Sequence, residues 1–313
     1  MRRDESYSPA GSRTWPVALC AVVAAGVVLA LTGSVAPAEA AFPGSNGLIA
    51  FTRVTSRGSE IAVVRPDRTG FRTLIPNATA PAWSPDGRLI AFDRKTSRGD
   101  RDLFIANADG SAIRRLDSVG SSDEEDPSWS PDGSQIAYTD GDDIYVVDAD
   151  GTNTRALTDD HLEATFPAWS PTGEWIAFIT QEGRITMAHP DGSGRHDVGG
   201  RSAGWLSWSP DGTKIAFADD GPARRWQDIY VADADGGHAH DITPWPGYQG
   251  MPSWSPDGTQ LIYGLAETKD GHVGEHTDLY VMNPDGTNTR PLVRGPAAKW
   301  GADWQAVNPS PTG

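Results

Sequence analysis

Cysteine is almost missing from this chain of 313 residues: Cys20 is the only one. It lies inside the apolar stretch Val17 to Leu31, the single long hydrophobic run in the sequence. Arg2, Arg3 and Arg13 precede that run and Ala38-Glu39-Ala40 follows it, the layout of a secretory signal with cleavage after Ala40. At about 15 residues the run is shorter than the ~20 a spanning helix needs, so an uncleaved anchor is the second reading. Leu19 before Cys20 makes a poor lipoprotein site, and Asp4 and Glu5 beside Arg2-Arg3 argue against a twin-arginine signal. With residues 1–40 removed, no cysteine remains, which excludes a disulfide framework and leaves stability to the core.

Positive charge is also scarce. Lys and Arg number 26 against 42 Asp and Glu, a net charge of −16. Residues 1–40 contain three Arg and three acids, so the balance survives their removal. That sign works against nucleic acid and anionic membrane surfaces as partners. No later apolar run is long enough to span a bilayer, and none keeps a helical period beyond a few residues.

What the sequence has instead is a repeat. Trp83-Ser-Pro-Asp-Gly87 returns at Trp129, Trp169 (with Thr172 for Asp), Trp208 and Trp254, at intervals of 46, 40, 39 and 46 residues. Four short segments recur around each copy: one ending at the Trp, an Ile-Ala-Phe type, an Asp-Ile-Tyr-Val type and an Arg-x-Leu type. They are rich in β-branched and aromatic residues and bounded by Gly, Pro and Asp, hence strands. Leu48–Phe51, Glu60–Val64 and Arg72–Ile75 supply the last three segments of a sixth repeat, and Gly301–Trp304 supplies its first. The reading is an all-β, six-bladed β-propeller of four-stranded blades, the C-terminal strand completing the N-terminal blade and closing the ring. Its expected boundaries are a signal peptide at 1–40, the propeller at 42–304 and a tail at 305–313.

A Trp that recurs once per blade is packing, and the Pro-Asp-Gly after it is turn chemistry. Asp86, Asp132, Asp211 and Asp257 are therefore read as turn formers, like the Asp-Gly pairs that end at Gly110, Gly151, Gly236 and Gly286. Asp-x-Asp-Gly hints at calcium, but the twelve-residue loop with its terminal Glu is missing. No cofactor is expected; a divalent cation such as calcium is the one alternative.

The run Trp-Ser-Pro-Asp-Gly, Ile-Ala-Phe, Asp-Ile-Tyr-Val-x-Asp-x-Asp-Gly, Arg-x-Leu-Thr resembles the Pro-Asp-type repeat of TolB-like propellers, over residues 42–304. TolB itself is periplasmic and serves as a protein-interaction hub of the Tol–Pal envelope system. It also has an α/β domain before its propeller, which the reading of this chain lacks. Prolyl-oligopeptidase-like peptidases carry similar repeats with a separate hydrolase domain. No G-x-S-x-G serine motif marks such a domain here.

Function is expected on the face carrying the second-to-third-strand and blade-to-blade connections, which vary in length and composition. Blades 1 and 2 put Arg53, Arg57, Arg94, Lys95, Arg98 and Arg101 there. Acids follow at Asp123, Glu124, Glu125 and Asp126, then Asp159, Asp160, His161 and Glu163. Arg224, Arg225 and Trp226 precede Trp245 and Tyr248, and a long loop over Ala266–Thr277 holds His272, Glu275 and His276. The binding-face candidates are Asp126, His161, Glu163, Arg224, Arg225, Trp226, Trp245, Tyr248, His272 and His276. Exposed aromatics beside Arg suit a protein contact. His272-Val-Gly-Glu-His276 spells H-x-x-E-H, but zinc needs that string on a helix, so no metal site is assigned. The expectation is an exported monomer that binds a protein or peptide without catalysis. The alternative is a propeller lyase or hydrolase acting on a carbohydrate, lactone or peptide at the channel mouth. Asp126, His161, Glu163 and His272 would be its first residues to test.

Overall fold

Alternating apolar and polar residues, cut every few positions by Gly, Pro or Asp, produce short strands and nothing else among the described residues. The computed structural model describes residues 39–40, 42–116, 123–158, 162–199, 204–220, 227–269 and 272–307, with backbone alone at 39–40, 267–269 and 272–275. After β1 (Glu39–Ala40) come β2 (Ser45–Thr55), β3 (Gly58–Val64) and β4 (Arg72–Pro76) of blade 1. Blade 2 holds β5 (Thr79–Trp83), β6 (Leu89–Lys95), β7 (Arg101–Asn107) and β8 (Arg114–Arg115). Blade 3 is β9 (Glu124–Trp129), β10 (Gln135–Asp140), β11 (Asp143–Asp148) and β12 (Arg155–Ala156). Blade 4 is β13 (Thr165–Trp169), β14 (Ile176–Ile179), β15 (Ile185–Ala188) and β16 (His196–Asp197). Blade 5 is β17 (Gly204–Trp208), β18 (Lys214–Asp219), β19 (Asp228–Asp233) and β20 (His240–Asp241). Blade 6 is β21 (Tyr248–Trp254), β22 (Leu261–Lys269), β23 (His272–Met282) and β24 (Arg290–Val293), and β25 (Ala298–Val307) returns to blade 1.

Each blade is an antiparallel sheet, and β25 pairs with β2 to make blade 1 four-stranded. The innermost strands touch in cyclic order, β5, β9, β13, β17, β21, β25 and back to β5. This is the six-bladed ring read from the repeats. β1 pairs in parallel with the inner edge of β17, and Phe42 behind it is buried against the cluster containing Trp129 and Trp208. β25 runs on through Val307, three residues beyond Trp304.

The six repeat Trp residues are all at most 3% exposed. Burial of each is worth roughly 4–6 kcal/mol gross. They also stitch neighbouring blades together. Trp129 and Trp208 donate their indole N–H to the carbonyls of Ala82 and Ala168, both at 3.1 Å. Elsewhere the backbone N–H of the Trp is the donor: Trp83 to Asp303 at 2.6 Å, across the ring closure, and Trp169 to Ser128 at 3.0 Å.

The Ser-Pro-Asp-Gly turns are closed by their own side chains. Ser84 donates to Asp86 at 2.7 Å and accepts from Leu89 N–H, while Asp86 accepts from Arg88 N–H. The same set recurs around Asp132, Asp211 and Asp257. Blade 4, with Thr172, keeps the bond from Trp175 N–H to the Ser170 hydroxyl at 3.1 Å, but in place of the carboxylate bonds it has a 3.1 Å hydroxyl contact and a 3.4 Å bond from Glu174 N–H. These acids are turn formers, as their position in the repeat implies.

One expectation fails. The stretch read as a long loop over Ala266–Thr277 is a hairpin extension in which β22 and β23 stay paired as far as Lys269 opposite His272. Gly-containing sequence there continues the ladder because Thr268, Val273 and Thr277 supply β-branched positions.

Candidate binding face

Every innermost strand is broken at the same place. Three residues before its Trp the backbone turns left-handed, with φ between +52° and +58°, at Ala80, Asp126, Phe166, Trp205, Met251 and Gly301. Pairing with the next strand slips at each of these points, so all six are β-bulges. Proline explains four of them: Pro81, Pro127, Pro167 and Pro252 follow the bulge residue, cannot donate to a ladder, and disfavour right-handed helical geometry before them. Ala80, freed from its ladder, donates its N–H instead to the Thr52 hydroxyl of blade 1 at 3.0 Å.

The bulges sit toward the start of each inner strand, at the mouth shared with the irregular connections, and they divide it in two. On blades 4 to 6 the bulge residues are Phe166, Trp205 and Met251, which join Trp300 of blade 1 in one apolar cluster. Phe166 and Trp205 rings meet at 5.7 Å, and Met251 sulfur accepts the Gly301 N–H at 3.3 Å. Phe166 and Met251 remain half-buried. On blades 2 and 3 the bulge residues are Ala80 and Asp126, and the surroundings are ionic.

There Arg101 bridges two blades. Its Nη1 pairs with Asp93 and donates to the Thr79 hydroxyl at 2.6 Å, while its Nε meets Glu125 at 2.9 Å. Thr79 donates to Asp93 at 2.5 Å, and Glu124 accepts the Leu103 N–H at 3.1 Å. Asp126 lies beside this network with 2% exposure and an Oδ1 that has no hydrogen-bond partner. Loss of water, then the negative charges of Glu125 and Asp93, push its carboxyl well above the usual range, with only Arg101 opposing. Asp228 in blade 5 is pushed up to about 7 by burial and by Asp241.

The other candidates scatter over the same face. Trp245 and Tyr248 are half-buried at the approach to β21, and Glu163 is half-buried with φ +47° before β13. His276 is exposed on β23. The H-x-x-E-H string lies in that strand, where zinc-hydrolase geometry does not arise. Among the described residues no three His, Cys, Asp or Glu side chains group around a common metal position. His161, Arg224, Arg225 and Trp226 fall outside the described residues, as does the side chain of His272. Among the described candidates, Asp126 is the one set beside the Arg101 network. The apolar half of the mouth is hard to see in the sequence because its positions hold unlike residues; a following Pro marks Phe166 and Met251 but not Trp205 or Trp300.

Four of the six basic residues read from blades 1 and 2 line two clefts flanking blade 1. One, lined by Arg94, Lys95 and Arg101, lies toward blade 2, and Arg94 there stacks over Phe92 and Phe104. The other, lined by Arg53, Arg68 and Arg294, lies toward blade 6.

The profile of the TolB beta propeller domain (PD40) matches residues 39–196, half of the chain. An uncharacterized peptidase of Bacillus subtilis, YuxL, is 25% identical over 228 residues, covering 67% of this chain and 33% of that protein. The TolB homolog of Chlorobium luteolum is 36% identical over 104 residues, 32% of this chain and 23% of its own. The chain thus spans a third or less of the length of these two relatives. Among solved structures, TolB from Acinetobacter baumannii shares the fold, with a TM-score of 0.69 at 19% identity over 85% of this chain and 68% of that one. Repeat, ring and profile agree, and the chain belongs to the TolB β-propeller family.

Proposed function

We propose that this chain is an exported, monomeric binding module that docks a protein or peptide on its irregular face. The observation that carries the reading is the divided mouth: an apolar arc of Phe166, Trp205, Met251 and Trp300 facing an ionic half built on Arg101. Phe166 and Met251, half-buried over the buried Trp205 and Trp300, give the apolar contact area of an interaction hot spot. A rigid ring that offers such a mouth needs no reorganisation to bind, which favours docking. Export is inferred from the leader-like residues 1–40 and from the kinship to TolB. Immobilised wild-type protein should capture a specific partner from the native exported fraction at low and at physiological salt. A Phe166→Ala/Met251→Ala double variant with unchanged melting temperature should lose it. Equal capture by both, or none by either, would count against the reading.

A catalytic reading of the same mouth has one observation behind it. A buried carboxyl with a raised pKa is the setting of a general acid, and Asp126 is one. At 2% exposure it is out of a substrate's reach, so binding stands first. Turnover that vanishes in Asp126→Asn, on any carbohydrate, lactone or peptide substrate, would reverse that order.

A further inference from the structure

Between blade 6 and blade 1 runs a groove of about 750 Å³. Arg53, Arg68, Arg294 and Lys299 line it, with Val54, Phe71, Val293 and Pro296 as the apolar part, and no Asp or Glu belongs to its lining. In a chain with 42 acids against 26 basic residues, that wall is a local reversal of sign.

The four cations are not equivalent. Lys299 is 2% exposed and fully used, donating to Asp278 at 2.8 Å and to the carbonyls of Gly295 and Ala297 at 2.9 and 2.6 Å. It fixes the connection that forms one rim. Arg53 gives one Nη to Glu60 at 2.5 Å and lays its guanidinium over Phe71, 5.1 Å from the ring centroid. Its Nε has no partner. Arg294 is exposed, anchored by the Tyr280 hydroxyl at 2.5 Å. Arg68 is exposed and joins no ion pair among the described residues. Phe71, 43% exposed, gives the groove an apolar floor that solvation does not require.

We infer that this groove takes an extended acidic peptide segment of a partner protein. A carboxylate meets Arg68 and Arg294, and an aliphatic or aromatic neighbour lies on Phe71 and Pro296. Guanidinium forks suit carboxylates geometrically as well as electrostatically. A polyanionic chain fits less well, because it cannot use the apolar half of the lining. The inference rests on the binding-module reading and narrows it to one groove.

The test pans a random-peptide display library against the full exported chain and measures the recovered peptides by fluorescence anisotropy. Peptides rich in Asp or Glu beside Leu, Ile, Phe or Trp are expected. Their affinity should fall on the order of tenfold or more in Arg68→Glu/Arg294→Glu, and also when the peptide acids become Asn or Gln. Arg68 joins no ion pair among the described residues, so Arg68→Glu alone should melt where the wild type does and still weaken binding; the double variant also loses the Arg294 contact with Tyr280. Phe71→Ala supplies a second, charge-neutral variant that should also weaken binding. Recovery of basic or neutral peptides, no recovery at all, equal binding to the variants, or groove-dependent binding of heparin or polyphosphate instead would each overturn the inference. A partner that still docks through Phe166 and Met251 would show that the groove assignment alone had failed.

Discussion

Replacing Asp126 with Asn removes one titrating proton from the mouth and should change how stability depends on pH. In the native ring, burial and the charges of Glu125 and Asp93 hold the carboxyl protonated well above the range of the unfolded chain. Between the unfolded pKa near 4 and the raised native value, the folded state keeps a proton that the unfolded state has lost. Stability must then fall as pH rises, by about 1.4 kcal/mol per pH unit for one proton. For a domain of this size that is a loss of roughly 3–6 °C in Tm per unit. Asp228, pushed up to about 7, adds to the same trend in both proteins and cancels in the comparison. Asn tolerates the φ of +58° at this position, so the backbone contributes no new strain. An unpaired buried amide would lower stability by about 1–3 kcal/mol at every pH, an offset that leaves the slope alone. Urea unfolding from pH 4 upward at fixed ionic strength reads the two slopes. The wild type should lose stability more steeply by about one proton. Parallel curves would mean that Asp126 is solvated and ionised, and would remove the basis for its special environment.

Other expectations follow from the repeat. Thr172→Asp restores the turn acid that the other four copies share, and should raise stability by about 0.5–1 kcal/mol in urea unfolding. Gly236→Ala places a Cβ 1.3 Å from the Val198 carbonyl oxygen at φ +81°, backbone against backbone, and should cost about 3 kcal/mol or more. Soluble yield and Tm report it. The mass of the exported protein should place its N-terminus at Ala41; an N-terminus at Met1 would mean a retained anchor.

The ring was legible because repetition multiplies weak signals. No single Ile-Ala-Phe segment defines a strand, but six in register define six blades, and a missing first segment at one end matched a lone Asp-Trp at the other. The site was legible only by location. Residue types at the bulge, Ala80, Asp126, Phe166, Trp205, Met251 and Gly301, share nothing that a pattern could detect, because backbone geometry rather than side-chain chemistry recurs there. Asp126 could be named as a candidate from its acidic neighbours, yet its burial depends on packing between blades 2 and 3 that lies beyond local sequence. The hairpin of β22 and β23 was missed for the opposite reason: glycines and charges read locally as a loop, while cross-strand pairing carried the ladder outward.

The central claim is that partners meet the irregular face and the groove between blades 6 and 1, where Arg68 is the one turn residue drawn in, and leave the turns of the other blades alone. A photo-crosslinking residue placed singly at Lys95, Arg98 or His276 samples the irregular face; one at Arg88 or Asp109 samples those turns, and all five are exposed. Irradiation in the native host should yield a discrete protein adduct from one or more of the first three positions and none from the last two. Adducts from Arg88 or Asp109, or none from any position, would contradict the account.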